Sequence, residues 1–262
     1  LGPGHVVVMD EAGMADTDRL SRLVETTSEH RAKLVLAGDA AQLGPIGAGG
    51  LFPQLSEHVP TAELCEVHRA NHEWERRAWE KIRNGQPGPA LAAYGANDRL
   101  QVSDTRAEAA QAMVDAWEKA RGNLASGRAI MITDASNAER DQINAMAQER
   151  RAASGELGSD RVQLPGKPYG LAAGDEVIFS APFPVPGAHR LEPGITGTVS
   201  DVNTTSNRVL IQTDERESRE VEVDPSKFSD LNLSYAVHVY KAQGITADSA
   251  EVLIGGWQTD RE

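Results

Sequence analysis

Val6-Val7-Val8-Met9-Asp10-Glu11-Ala12-Gly13-Met14 is the stretch whose reading decides the fold. Val6 to Met9 is uninterrupted apolar sequence rich in β-branched side chains. It reads as a fully buried strand of a parallel sheet, because a half-exposed strand would alternate apolar and polar residues. Asp10 and Glu11 then stand at the carboxyl end of that strand. In open α/β sheets the crevice beyond the strand carboxyl ends is where ligands bind, so an acid pair placed there can meet a metal-bound nucleotide. A strand that ends in two solvated acids satisfies the same residues, and this stretch alone does not choose between the two.

A second strand signal follows. Lys33-Leu34-Val35-Leu36-Ala37 runs into Gly38-Asp39-Ala40-Ala41-Gln42-Leu43-Gly44-Pro45, again apolar sequence with polar groups at its carboxyl end. Between the two strands, Thr17 to Thr27 carries Leu20, Leu23 and Val24 on one face, an amphipathic helix with Asp16 or Thr17 as its cap. The rhythm is that of a βαβ unit. Neighbouring parallel strands would point Asp10, Glu11, Asp39 and Gln42 into one crevice. In nucleoside triphosphatases the first acid of such a pair holds Mg²⁺, directly or through water, and the second orients the attacking water.

Two further stretches complete a pattern: Leu64-Cys65-Glu66-Val67-His68-Arg69, and Tyr235-Ala236-Val237-His238-Val239-Tyr240-Lys241-Ala242-Gln243-Gly244-Ile245-Thr246. Taken in order with Asp10 to Met14 and Gly38 to Leu43, they resemble motifs II, III, IV and V of superfamily 1 DNA helicases. Within that superfamily the chain is most similar to the RecD-like helicase region of relaxase-helicases that process conjugative plasmids, of the TraA and TrwC/TraI type. The resemblance implies RecA-like P-loop NTPase motor folds, α/β with parallel sheets, of which the first is incomplete, together with a small inserted SH3-like β-barrel. It implies ATP and Mg²⁺ as cofactors and single-stranded DNA as partner. Asp10 would hold the Mg²⁺, Glu11 would act as the water-orienting base, and Gln42 would sense the terminal phosphate. Arg69 would neutralise that phosphate across the cleft. Asp39 and Gly244 would also approach the nucleotide, while Tyr240, Lys241, Gln243 and Thr246 would contact the strand.

The chain also departs from the family. No Gly-x-x-x-x-Gly-Lys-Ser/Thr occurs, hence no loop to cradle phosphates and no lysine to reach them. Gly44 to Gly50 is glycine-rich but lacks a lysine and precedes Leu51-Phe52, so it reads as a flexible connection. His238 stands where the family usually has threonine, and Tyr240 where it usually has histidine. In the family the phosphate loop lies well before Asp10, and motif VI lies beyond the last residues here. The expectation is a piece of a larger enzyme, inactive alone, whose partner is the remainder of the parent polypeptide: the Walker A segment, motif VI and a relaxase domain where one is carried.

Composition narrows the alternatives. The 262 residues carry a net charge of −13, and no long segment is basic. That argues against a module coating duplex DNA through many phosphate contacts, but leaves room for a single-strand groove with a few donors and stacking groups. With 40% hydrophobic residues the chain can build cores, and no apolar run approaches the roughly 20 residues that span a bilayer. A cytoplasmic setting is the expectation. Cys65 is the only cysteine, which excludes an intrachain disulfide and a cysteine metal cluster; it reads as an apolar filler.

Further elements follow in order. Residues 1–69 read as the later half of a first motor domain, ending in a strand from Thr61 to Val67 that delivers His68 and Arg69. Residues 70–160 and 229–262 read as the second motor domain. There Asn71 to Asn84 forms a helix with Trp74, Ala78, Trp79 and Ile82 on its core face, broken by Gly85-Gln86-Pro87-Gly88-Pro89. Strand Leu100 to Ser103, helix Ala107 to Arg121 and strand Ala129 to Thr133 come next. A helix capped by Ser136, with Glu139 completing a capping box, runs to about Ser154. In 161–228 short strands replace helices: Glu176 to Phe179, Thr196 to Val202, Arg208 to Gln212 and Glu220 to Val223. This is the inserted barrel. Leu233 to Val239 and Glu251 to Ile254 return to strand.

Two other functions compete. A non-catalytic DNA- or protein-binding module on a helicase scaffold would be expected to lose its acids first, yet Asp10, Glu11, Gln42 and Arg69 are all present. A metal nuclease built on Asp10, Glu11 and Asp39 lacks a further convincing ligand or a basic cleft.

Overall fold

The computed structural model describes residues 1–255 apart from 46, 65–69, 71, 125–127 and 244. The chain forms two compact units, Leu1–Leu100 and Gln101–Glu262.

The first unit opens with the expected βαβ. Strand β1 (Val6–Met9) pairs in parallel with β2 (Lys33–Leu36), Val6 opposite Lys33 and Met9 opposite Leu36. Helix α1 (Thr17–Glu29) joins them, and the Asp16 side chain caps it by accepting from the Arg19 amide at 2.9 Å. Leu20 is buried as its periodicity demands, whereas Val24 is 44% exposed. Full burial of the first strand is not observed: Val6 is 57% and Val8 63% exposed. The physical reason is that, among the described residues, nothing covers the ribbon face that carries Val6, Val8 and, opposite Val8, the exposed Val35.

The rest of the unit is helical. After α2 (Phe52–His58) come α3 (Glu73–Arg83) and α4 (Pro87–Ala96). The expected break falls between α3 and α4 but is shorter than the run of glycine and proline implied. Gly85, at φ +70°, ends α3 by donating to the Ile82 carbonyl, and Gln86 donates to Lys81. A left-handed glycine closing a helix this way satisfies its last carbonyls. Pro87 then opens α4, because its missing N–H is unneeded at a first helical position. Trp79 Nε1 donates to the Tyr94 hydroxyl at 2.8 Å and Trp74 meets the Tyr94 ring edge-on, so both tryptophans pack between the two helices. Ile82 is half exposed. Thr61 to Leu64 takes no strand pairing, and the remainder of that expected strand lies outside the described residues.

The second unit centres on a parallel sheet with β3 (Ala129–Thr133) in the middle, β11 (Ala236–His238) on one side and β12 (Ser249–Leu253) on the other. Helices α5 (Arg106–Asn123) and α6 (Asn137–Ala153) complete that layer. The expected strand at Leu100 to Ser103 is absent: Val102 is 86% exposed and nothing pairs with it. Its apolar alternation was too short to outweigh the missing partner. A full capping box does occur, but at Thr105 and Glu108 ahead of α5. At α6, Ser136 accepts from the Glu139 amide, while the Glu139 carboxylate is drawn to Arg106 instead.

Between α6 and β11 the chain makes the hairpin of β4 (Val162–Gln163) with β5 (Gly170–Leu171), then an antiparallel meander. Strands β6 (Glu176–Phe179), β7 (Thr196–Asn203), β8 (Arg208–Thr213), β9 (Glu220–Val223) and β10 (Leu231–Leu233) form one sheet in the order β10-β6-β7-β8-β9. Its end strands do not pair among the described residues, so the expected barrel is seen as an open five-stranded sheet. The expected strand from Leu233 to Val239 is in fact two strands serving two sheets: β10 extends the meander, and β11 returns to the parallel layer. One apolar core joins both layers, with Trp117, Met131, Ile143, Phe179 and Tyr235 fully buried. A short helix, α7 (Val239–Ala242), follows β11 directly.

Candidate functional site

In the first unit, Asp10 and Glu11 follow the end of β1, and Glu11 takes a backbone conformation unusual for its residue type. Glu11 adopts φ 50° and ψ 39°, the left-handed region, which costs a side-chain-bearing residue about 1–3 kcal/mol. The turn is held by three bonds: Glu11 N donates to Asp10 Oδ1 at 2.9 Å, Met14 N to the Glu11 carbonyl at 2.9 Å, and Ala12 N to Ala37 at 2.8 Å. Both acids are exposed. Neighbouring glycines let the two strand-end turns touch. A Cβ on Gly38 would sit 3.0 Å from the Gly13 nitrogen and 3.2 Å from the Phe52 ring.

Asp39 and Gln42 occupy the second of these turns. Asp39 Oδ1 accepts from the Ala41 amide at 2.9 Å and from Arg83 Nη2 at 3.1 Å, and the Gln42 amide donates to the Asp39 carbonyl at 3.2 Å. Asp39 therefore holds the turn that presents Gln42. Both line a shallow cavity of about 140 Å³ with Gly13, Pro45, Gly49 and Pro53, a lining that includes neither Asp10 nor Glu11. The glycine-rich connection is docked, since a Cβ on Gly49 would fall 1.7 Å from Thr17 Oγ1. Arg69 and Gly244 lie outside the described residues, as does Cys65.

In the second unit, the candidate strand contacts lie on and just beyond α7. Tyr240, Lys241 and Thr246 are exposed, whereas Gln243 is partly buried and its Oε1 has no partner among the described residues. Lys241 also lines a cavity of about 220 Å³ with Asn137, Arg140, Ser180, Asn232 and His238. This cluster was not evident in the sequence. Its one signal is Arg140, a cation near the start of α6, where the helix dipole favours an anion. Burial, with the Arg140 guanidinium second, pushes the His238 imidazole below the usual histidine range.

Beneath β11, a buried polar network ties α6 to the antiparallel sheet. Asp175 is fully buried and accepts from Tyr235 Oη (2.6 Å), Gln148 Nε2 (2.6 Å) and the Ala172 amide (2.7 Å). Arg151 donates to the Tyr235 hydroxyl at 2.9 Å and to the Gly174 carbonyl at 3.1 Å. Burial raises the Asp175 carboxyl above its ordinary range, and the three donors oppose that rise. The network's bonds are satisfied internally, and through Tyr235, the residue before β11, it fixes where that strand begins.

The first unit thus carries a parallel βαβ with an acid pair at one strand end and a glutamine-bearing turn at the next, and residues 1–105 match the family described as AAA domain. Over 250 residues, 95% of the chain, it is 30% identical to the conjugal transfer protein TraA of Rhizobium radiobacter. The TraA protein of Agrobacterium fabrum matches at 30% over the same length, and a probable conjugal transfer protein TraA of Sinorhizobium fredii at 30% over 251 residues. The chain spans 22% of the length of these relatives.

Proposed function

We propose that this chain is the helicase portion of a larger conjugative DNA-processing protein, a RecD-like superfamily 1 motor driven by ATP along single-stranded DNA. In this reading residues 1–69 belong to a first motor domain, 70–160 and 229–262 to a second, and 161–228 to an insertion. Asp10 suits a Mg²⁺ ligand: it is exposed, and only Oδ1 is engaged. A single carboxylate is enough where phosphate and water complete the shell, and bound Mg²⁺ would supply charge neutralisation at the phosphates. Glu11 orients the attacking water, Gln42 reads the terminal phosphate and Arg69 neutralises it. Tyr240, Lys241, Gln243 and Thr246 hold the strand, with Gly244 permitting close approach. The phosphate-cradling loop and its lysine must come from residues outside these 262.

The observation that carries this reading is the left-handed Glu11 at the end of β1. A glutamate tolerates that conformation only where its surroundings impose it, and such strain gathers at functional sites. The test is ATP hydrolysis with and without single-stranded DNA, measured on the longer polypeptide that contains the lysine loop. DNA-stimulated turnover that falls at least about a hundredfold in Glu11→Gln is expected. Turnover that survives Glu11→Gln overturns the assignment.

A further inference from the structure

We propose that Tyr235, with Asp175 on one side of its hydroxyl and Arg151 on the other, locks the antiparallel sheet to β11, so that a single strand held at α7 and the inserted sheet belong to one cooperative unit. Tyr235 is then a positioning residue: buried, it meets no ligand and acts through the strand it precedes. The inference rests on the reading above, in which α7 contacts the DNA.

The two sheets meet within a very short stretch. Leu233 ends β10 and Ala236 begins β11, which leaves Ser234 and Tyr235 between them, both buried. The Ser234 amide still donates to the Glu176 carbonyl on β6 at 3.0 Å, whereas the Tyr235 carbonyl already accepts from the Met131 amide on β3 at 3.0 Å. The crossing from one sheet to the other thus happens at Tyr235. Its side chain spans the same junction. The ring lies 5.6 Å from that of Trp117, whose Nε1 donates to the Ala129 carbonyl of β3, while the hydroxyl reaches Asp175 just ahead of β6.

α6 faces this junction with polar groups where a helix packed on a core ordinarily carries apolar ones. Asn144, Gln148 and Arg151 follow at i, i+4 and i+7, one face of the helix, and all three are buried. Each grips a different piece of the crossing. Asn144 holds Ala236 of β11, Gln148 Nε2 donates to the Gly170 carbonyl on β5 at 2.7 Å and to Asp175 at 2.6 Å, and Arg151 donates to Gly174 and to the Tyr235 hydroxyl. Apolar contact is non-directional, so an apolar face would let one layer slide on the other with little change in buried area. Hydrogen bonds fix distance and angle, and a buried donor pulled from its acceptor finds no water to replace it. The polar stripe therefore selects one placement of the antiparallel sheet on the parallel layer. At its centre the Tyr235 hydroxyl donates to the Asp175 carboxylate and accepts from the Arg151 guanidinium, joining two buried charges that form no ion pair with each other. β11 then runs into α7 with no residue between them, so whatever moves β11 moves α7.

The experiment is amide hydrogen exchange on the longer polypeptide that contains the lysine loop, with and without saturating oligothymidylate. It compares wild type with Tyr235→Phe, Gln148→Met and, as a control, Ile211→Val. Amides that exchange through one cooperative opening are slowed together when a ligand binds any part of the unit. In wild type the oligonucleotide is expected to slow exchange about tenfold at β11 and equally in β6 and β10. Tyr235→Phe keeps the ring beside Trp117 and removes only the hydroxyl. It should retain the slowing at β11 but cut it to less than about twofold in β6 and β10. Ile211→Val trims the core of the antiparallel sheet without touching the junction, so it should speed exchange there yet leave the oligonucleotide's effect shared, which separates positioning from lost stability. Gln148→Met decides where Tyr235→Phe fails to fold. Equal slowing of both sheets in the folded junction variants, or slowing confined to β11 in wild type, overturns the lock and leaves the motor reading intact. A split effect in Ile211→Val as well overturns the assignment to Tyr235. Absence of slowing anywhere in wild type overturns the motor reading, and the lock's role with it.

Discussion

Asn144, in the middle of α6, exchanges two hydrogen bonds with the backbone of Ala236 on β11: its Oδ1 accepts from the Ala236 amide at 2.9 Å and its Nδ2 donates to the Ala236 carbonyl at 3.0 Å. Among the described residues β11 is an edge strand of the parallel sheet, and an edge leaves backbone groups unpaired. The Asn144 carboxamide takes the place a further strand would occupy, and does so at zero exposure. Asn144→Ala leaves a buried N–H and a buried C=O without partners, so a loss of about 2–4 kcal/mol is expected, read as a fall in the urea midpoint at unchanged m. Asn144→Asp keeps the acceptor and loses the donor, and should cost at least as much because a buried carboxylate then faces the Ala236 carbonyl.

Glu11 offers a separation of stability from activity. Its left-handed backbone is free of penalty only for glycine, so Glu11→Gly should stabilise the first unit by roughly 0.5–1 kcal/mol while removing the proposed base. Glu11→Gln keeps the strain and should leave stability unchanged. Thermal melts of the two variants check this; equal melting temperatures would mean that the turn carries no strain.

Asp175 tests whether a buried carboxylate is required as an anion. It accepts three hydrogen bonds, two of them on Oδ2. Asp175→Asn would turn an NH₂ toward at least one of these donors. Removing the buried charge alone would stabilise, because burial raises this carboxyl above its ordinary range. The lost acceptor should win, with a net destabilisation of about 1–3 kcal/mol by chemical denaturation. A stabilised variant would show that desolvation dominates instead.

The first βαβ was legible because its signals are local: an apolar run, a helical period and a cap within thirty-odd residues. The acid pair and the Gln42 turn followed from strand direction alone. Three features were not legible, each for a tertiary reason. Exposure of Val6 and Val8 depends on what covers a sheet face, which no local pattern states. The division of Leu231 to His238 between two sheets is hidden in near-continuous apolar sequence, since both β10 and β11 are buried on both faces. The cluster around Arg140 unites residues from α6, the turn after β6, β10, β11 and α7, most of them far apart in sequence, so only folding brings them into one cavity.

His238 makes the second unit sensitive to acid. Its imidazole is held below the usual histidine range by burial first and by Arg140 second; the Thr133 carbonyl and the carboxylates of Asp141 and Asp134 partly offset this. The folded state thus binds this proton less readily than the unfolded chain does, and the linkage relation makes stability rise with pH wherever that holds. The stabilisation is complete above the unfolded value of about 6.5 and declines as pH falls from there toward the lower folded value. Below that value the loss stops growing. His238→Asn, which keeps a polar group beside Asn137, should flatten the change in unfolding free energy between neutral and mildly acidic pH. Equal slopes for wild type and variant across that window would place the proton uptake elsewhere.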